Sequence, residues 1–92
     1  MEQNKQRNID PHEFARTFES QIKRVVSEKF SVPEDELELL LEDENGVYMS
    51  QEETDTLCCF VIGQNNGFMY LVTGKINEDK QTLTDLKTDI LS

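Results

Sequence analysis

The chain has 92 residues, of which 36% are hydrophobic and 30% charged, and its net charge at pH 7 is −10. This length fits one domain and excludes a catalytic domain beside a separate binding domain. The negative charge excludes direct binding to nucleic-acid phosphates and adhesion to an anionic membrane, because both need a cationic surface.

The sequence carries no signal for a membrane. No apolar run approaches the roughly 18 residues of a transmembrane helix, and the polar N-terminus lacks the apolar stretch of a signal peptide. We therefore expect a cytoplasmic protein. Cys58 and Cys59 are neighbours in an apolar segment, where successive strand side chains point to opposite faces. We expect them to be buried free thiols rather than a disulfide, and we expect no metal and no cofactor.

The first 8 residues are predicted to form a flexible polar tail, and residues 9–92 a single α+β domain. A helix is predicted over residues 11–30, because Asp10 is a good N-cap and Pro11 fits the first helical position. Ile9 is spaced to pack against Phe14 across this cap. Apolar residues then follow the helical period: Phe14, Phe18, Ile22, Val25, Val26 and Phe30.

After Glu36 the hydrophobic period changes from 3.6 to 2. Three leucines alternate with glutamates in the manner of a half-buried strand: Leu37, Leu39 and Leu41. Residues 43–46 are predicted to turn the chain into a return strand over residues 47–49. A three-residue loop with Gly46 in the left-handed position gathers the apolar side chains of both strands on one face. A helix over residues 33–41 is the alternative, because Glu and Leu are good helix formers.

The second half of the chain predicts another hairpin and a helix. Residues 57–62 form a continuous apolar run, residues 64–67 a turn, and residues 68–73 a return strand. Thr82 has capping spacing, and an apolar helical stripe follows it: Leu83, Leu86, Ile90 and Leu91. The predicted fold is an N-terminal helix, a four-stranded antiparallel sheet made of two hairpins, and a short C-terminal helix, with the helices on one face.

The charge is concentrated in one segment. Residues 30–74 contain no Lys or Arg and ten acids, which equals the whole net charge. The acids are Glu34, Asp35, Glu36, Glu38, Glu42, Asp43, Glu44, Glu52, Glu53 and Asp55. In the predicted hairpin, alternate glutamates form a row with a spacing of about 6.6–6.8 Å, and such a row repels itself. Because interspersed charges would suffice for solubility, this row indicates a basic partner; the alternative is a solvated hairpin whose acids discourage aggregation.

Tyr48 points to the acidic side in the preferred register. We therefore predict that it acts with the ten acids as an aromatic anchor for a partner's cation. His12 is expected to be an exposed residue of the first helical turn.

The acidic segment was also compared with an EF-hand loop. Asp43, Asn45, Gly46 and Glu52 occupy its third, fifth, sixth and twelfth places, but Leu41 occupies the first and cannot bind calcium. At most a weak, incidental cation site is expected. Acid–base catalysis needs two carboxylates in contrasting environments, and a string of exposed glutamates does not supply them. We expect no enzyme.

These patterns favour a small acidic protein that binds and inhibits a basic, nucleic-acid-handling protein such as a nuclease or polymerase. Its carboxylates would stand in for phosphates. In size and charge alone, the chain is similar to small acidic phage proteins that act against host defence or transcription machinery. The alternatives are an immunity or antitoxin protein for a basic toxin, and an adaptor or oligomerisation module with an apolar working surface. A small core and free sheet edges are also compatible with a homodimer.

Overall fold

The computed structural model describes residues 10–53, 55–77 and 79–91. The predicted tail and the proposed packing of Ile9 lie outside these residues. The chain forms two helices, α1 (Pro11–Thr17) and α2 (Glu19–Phe30), and a 3₁₀ turn (Glu34–Glu36). Five strands follow: β1 (Leu37–Leu39), β2 (Val47–Met49), β3 (Thr56–Gly63), β4 (Met69–Asn77) and β5 (Thr82–Ile90). The predicted α+β class with an antiparallel sheet is confirmed.

The helical segment begins and ends where the sequence predicts, but it is divided in two. The Asp10 side chain accepts a hydrogen bond from the backbone N–H of His12 at 3.0 Å, and Pro11 follows as the first helical residue. At Phe18 the backbone leaves the helix, with φ −107° and ψ 24°. Ser31, in the left-handed conformation, ends α2. The division lets α1 contact β2 and β3, while α2 contacts β1, β4 and β5.

The first predicted hairpin is wrong, because β1 and β2 do not pair with each other. Both pair with β3, so that Leu39 lies opposite Val61 and Val47 lies opposite Cys59. Together they form one interrupted edge strand. Pairing with β3 buries Leu37, Leu39 and Val47 against the long apolar strand. In the predicted hairpin these side chains would have packed only against one another, which buries less apolar surface.

Residues 40–46 form the insertion that interrupts the edge strand. The backbone of Phe60 closes it from both ends: Leu40 N–H donates to the Phe60 carbonyl at 3.0 Å, and Phe60 N–H donates to the Gly46 carbonyl at 2.8 Å. The ladder therefore continues across the insertion as it does across a large β-bulge. The turn that the sequence predicts over residues 43–46 exists, with the Gly46 N–H donating to the Asp43 carbonyl at 2.9 Å, but it belongs to this insertion. The predicted left-handed conformation of Gly46 is wrong.

The C-terminal helix is also wrong: the segment is β5, paired with β4, which makes five strands instead of four. The register shifts between Thr73 and Lys75, and Asp85 has a positive φ of 54°. This bulge adds one residue between Leu83 and Leu86, so both side chains reach the core from one face of a strand. In the sequence, their three-residue spacing resembles a helical stripe. In the structure, the bulge lets a strand accommodate this spacing.

The two faces of the sheet differ. The core lies on one face, where helix side chains such as Ile22 and Val26 join strand residues such as Leu57, Cys59 and Val61. The strand registers place alternate residues on the opposite face, which we call the open face: Tyr48, Cys58, Phe60, Ile62, Met69 and Leu71. Both helices come from the first 30 residues, and buried side chains of both belong to the core cluster.

Gly46 is expected to be essential for closing the insertion. A Cβ at this position would overlap the Leu40 carbonyl oxygen and lie 2.8 Å from the Leu40 Cβ. Because the backbone of Leu40 is fixed by its bond to β3, Gly46→Ala should lower the free energy of unfolding by about 1–3 kcal/mol, the usual effect of overpacking. Urea titration followed by circular dichroism measures this.

The neighbouring Asn45→Ala is the matched control. Asn45 is exposed in the same loop, so its replacement should change the free energy of unfolding by less than about 0.5 kcal/mol. Equal stabilities of the two variants would show that the insertion closes without the constraint at Gly46.

Candidate functional site

The ten acids lie along the sheet edge formed by β1 and β2, and we call this set the acidic edge. They form three groups: one around the 3₁₀ turn and β1, one in the insertion, and one in the turn between β2 and β3. Nine of the side chains are exposed and Glu36 is half-buried. The groups are Glu34, Asp35, Glu36 and Glu38; Glu42, Asp43 and Glu44; and Glu52, Glu53 and Asp55.

The predicted row of glutamates on one strand does not form. Only Glu38 lies within a strand, since Glu42 and Glu44 belong to the insertion and Glu36 to the 3₁₀ turn. The first and third groups flank opposite ends of β3, which at the usual strand rise are about 23 Å apart. This exceeds the Debye length of roughly 8 Å at physiological salt. The first and third groups therefore act as separate patches, and the group in the insertion lies between them.

One part of the acidic edge is concave, and we call it the edge groove. It has a volume of about 570 Å³. Its walls carry four carboxylates, and its floor includes two half-buried leucines, Leu40 and Leu41. The lining residues are Glu19, Glu38, Leu39, Leu40, Leu41, Glu42 and Asp43. No basic side chain is among them, so the groove suits a long cationic side chain with an apolar stem.

The carboxylates of the edge groove differ in their partners. Glu19 is paired with Lys23 at 2.8 Å, so its charge is already compensated. Glu38 accepts only a neutral hydrogen bond, from the Gln64 side-chain amide at 3.1 Å. Among the described residues, the one acid of the acidic edge within 4 Å of a basic side chain is Glu34, which lies 3.9 Å from Arg24. The negative charge of Glu38, Glu42 and Asp43 is thus available to a ligand.

His12 holds the insertion in place, contrary to the prediction of an exposed residue. It is half-buried, and its Nε2 lies 3.3 Å from the Asp43 carbonyl oxygen. The Asp43 side chain in turn accepts a hydrogen bond from the Asn45 N–H at 2.9 Å. The His12 contact joins the acidic loop to the start of α1, and the Asn45 contact orders the loop itself. A loop restrained in this way loses less entropy on binding.

Tyr48 lies beside the acidic edge and is 41% exposed. It is on the open face, on the same side of the sheet as Glu38, and its ring centroid lies 6.1 Å from that of Phe60. Partial burial raises the pKa of the Tyr48 hydroxyl and of the facing Cys58 thiol. The Tyr48 side chain is thus neutral at pH 7 and partly open to solvent.

The two cysteines are free and buried on opposite faces of β3. Burial raises the pKa of the Cys59 thiol to about 12, so at neutral pH it is not a nucleophile. Within the described ranges, no group of three His, Cys, Asp or Glu residues is placed to hold a metal ion. In the same ranges, no helix is long and apolar enough to cross a membrane.

Sequence reasoning missed the edge groove. Glu19 comes from α2 and Leu40 from the insertion, so their proximity depends on tertiary contacts. One signal was present: Leu40 breaks the alternation of leucine and glutamate, and it is this residue that supplies part of the apolar floor.

Comparison of the chain with protein-family models, with curated proteins and with solved structures finds no match.

Burial of Cys59 predicts a specific loss of stability at high pH. The unfolded thiol ionises near pH 9.0, whereas the folded thiol stays protonated to about pH 12. Protonation of Cys59 thus contributes to the free energy of unfolding below pH 9, and this contribution is lost as the pH rises toward the folded pKa of about 12. The free energy of unfolding should fall more steeply with pH in the wild type than in Cys59→Ala.

Urea titrations at pH 8, 9.5 and 11 measure the difference. Parallel pH profiles for the two proteins would contradict the raised pKa. As an independent check, iodoacetamide should label Cys59 at pH 8 much faster in urea than in the folded protein.

Proposed function

We propose that this protein binds a basic protein through its acidic edge, with the edge groove receiving a lysine or arginine side chain. The observation that carries this proposal is the groove itself, where Glu38, Glu42 and Asp43 surround an apolar floor and no basic side chain of the described residues is paired with them. An arginine would place its aliphatic stem on the leucines and its guanidinium among the carboxylates.

The acids of the acidic edge that lie outside the edge groove serve encounter as well as contact. Because they are exposed and spread along the edge, they attract a cationic protein over a distance and increase the association rate at low salt. Tyr48, partly exposed beside Glu38, offers a ring face for a second cation. We propose that this site binds a partner and carries out no catalytic step.

We propose more specifically that the protein inhibits a nucleic-acid-handling protein. A nuclease or polymerase has a cationic surface for phosphates, and the acidic edge would occupy it. The separation of the acids into three groups supports contact at discrete cationic sites rather than imitation of a regular phosphate row. The same surface would serve an immunity protein against a basic toxin, so only the partner distinguishes these functions.

An adaptor role is the second candidate. The observation that favours it is the open face, whose apolar residues include Phe60, Ile62 and Leu71, all only half-buried. A module that works through this face would use its acids for solubility alone. Its binding would then be insensitive to changes at the acidic edge.

Charge reversal at the groove tests the proposal. Glu38→Lys combined with Glu42→Lys should weaken binding of a ten-residue Arg/Lys/Gly peptide at least about tenfold, because two attractive contacts become repulsive. Fluorescence anisotropy with a labelled peptide measures the affinity, and circular dichroism checks the fold.

Glu28→Lys combined with Asp79→Lys is the matched control. Both residues are exposed and lie outside the acidic edge, so this variant has the same net charge as the groove variant. It should keep an affinity within about threefold of the wild type, since distant surface charges are largely screened. Equal losses in both variants would mean that only net charge matters and would refute a specific site.

Salt and nucleic acid test the mode of binding to a natural partner. Wild type, groove variant and control variant are used in parallel to capture proteins from the source cell. A specific partner is retained by the wild type and the control, lost by the groove variant, and released between 50 and 500 mM NaCl as its charges are screened. Displacement of that partner by duplex DNA identifies the inhibitor form, whereas retention despite DNA contradicts it.

A further inference from the structure

The open face forms an apolar surface continuous with the edge groove. Leu40 lies across from Phe60, to which its N–H donates, and it follows the core-facing Leu39 by one residue. Its side chain therefore belongs to the open face while also lining the groove. Glu38 lies on the same face, directly opposite Ile62. Apolar contact area and free carboxylates thus adjoin.

The side chains of the open face resemble those of the face that the helices cover. Phe60, Ile62, Met69 and Leu71 are half-buried and, among the described residues, lie outside the core cluster, whereas their core-facing neighbours Val61, Tyr70 and Val72 belong to it. A sheet face with apolar residues is stabilised when another layer of secondary structure covers it. An amphipathic helix, which carries an apolar stripe between charged flanks, matches an apolar face bordered by carboxylates.

A second copy of the chain is a poor occupant. Each copy carries a net charge of −10, which opposes self-association. The lysines on this side of the sheet, Lys75 and Lys87, share one groove with Glu53 and Asp85. Three other bases of the described chain are already paired with acids: Lys23, Arg24 and Lys29. Five of the seven described bases therefore lie near acids of their own copy, which leaves Arg16 and Lys80 to meet the ten acids of the acidic edge.

We propose that the open face docks an amphipathic helix of the partner, with its apolar stripe on Phe60, Ile62, Met69 and Leu71 and its basic flank toward Glu38 and the edge groove. This inference rests on the proposed function, because the charge of the acidic edge selects the basic flank.

The test uses a 16-residue leucine–lysine peptide with helical amphipathic spacing and a scrambled peptide of the same composition. The helical peptide should bind at least about tenfold more tightly than the scrambled one, because only it offers a continuous apolar stripe. Amide shifts in ¹⁵N NMR spectra should move at residues 58–62 and 69–73.

Ile62→Thr combined with Leu71→Thr is the informative variant, because both substitutions keep good strand formers on the open face. It should lose the tenfold advantage of the helical peptide. Ile90→Thr is the control, since Ile90 is 45% exposed in the same sheet and lies outside the open face. Its affinity should match the wild type.

The outcomes separate the two proposals. If the open-face variant binds like the wild type while the groove variant fails, the docking inference is overturned and the acidic-edge function stands. If the groove variant binds both peptides like the wild type, the proposed function fails and the inference fails with it. A wild-type dimer in sedimentation that the open-face variant dissociates would identify a second copy as the occupant and overturn the inference.

Discussion

Pairing of both short edge strands with the single long strand β3 is the constraint on which the rest of the structure depends. β3 is bonded along its whole length, to β1 and β2 on one side and to β4 on the other. Phe60 provides the hydrogen bonds at the junction, one to each end of the insertion. Because the junction is fixed, the insertion must leave the sheet between two defined points, and Gly46 allows its close approach.

The position of the negative charge follows from this pairing. An interrupted edge strand places the acids along the rim of the sheet, where nearly all remain exposed. The insertion folds toward α1, and His12 holds it there through the Asp43 carbonyl. The groove between the insertion, β1 and α2 then combines carboxylates with exposed leucine surface. Such edges also resist the addition of foreign strands, because bulges and charges interrupt the ladder.

Charge and apolar surface meet at Leu40, which contributes to the groove and to the open face. A partner that engages both would obtain specificity from the carboxylates and most of its affinity from buried apolar area. The buried cysteines take no part in this surface chemistry, because desolvation keeps the Cys59 thiol protonated.

The sequence alone determined the local features. The cap at Asp10, the helical limits of residues 11–30, the hairpin of β3 and β4 and the free cysteines all follow from residue type and spacing. They could be predicted because their causes lie within a few residues of one another. The confinement of all net charge to residues 30–74 is likewise a property of the sequence.

Only the tertiary structure decided which strands pair and where the acids meet. Two short strands near a glycine turn resemble a hairpin, but pairing with the long apolar β3 buries more surface than pairing with each other. The leucines of β5 have a helical spacing in the sequence, which a bulge accommodates in a strand. The segment forms a strand because the backbone N–H and C=O groups at the edge of β4 need hydrogen-bond partners. The groove joins Glu19 to residues of the distant insertion, so no local pattern could reveal it.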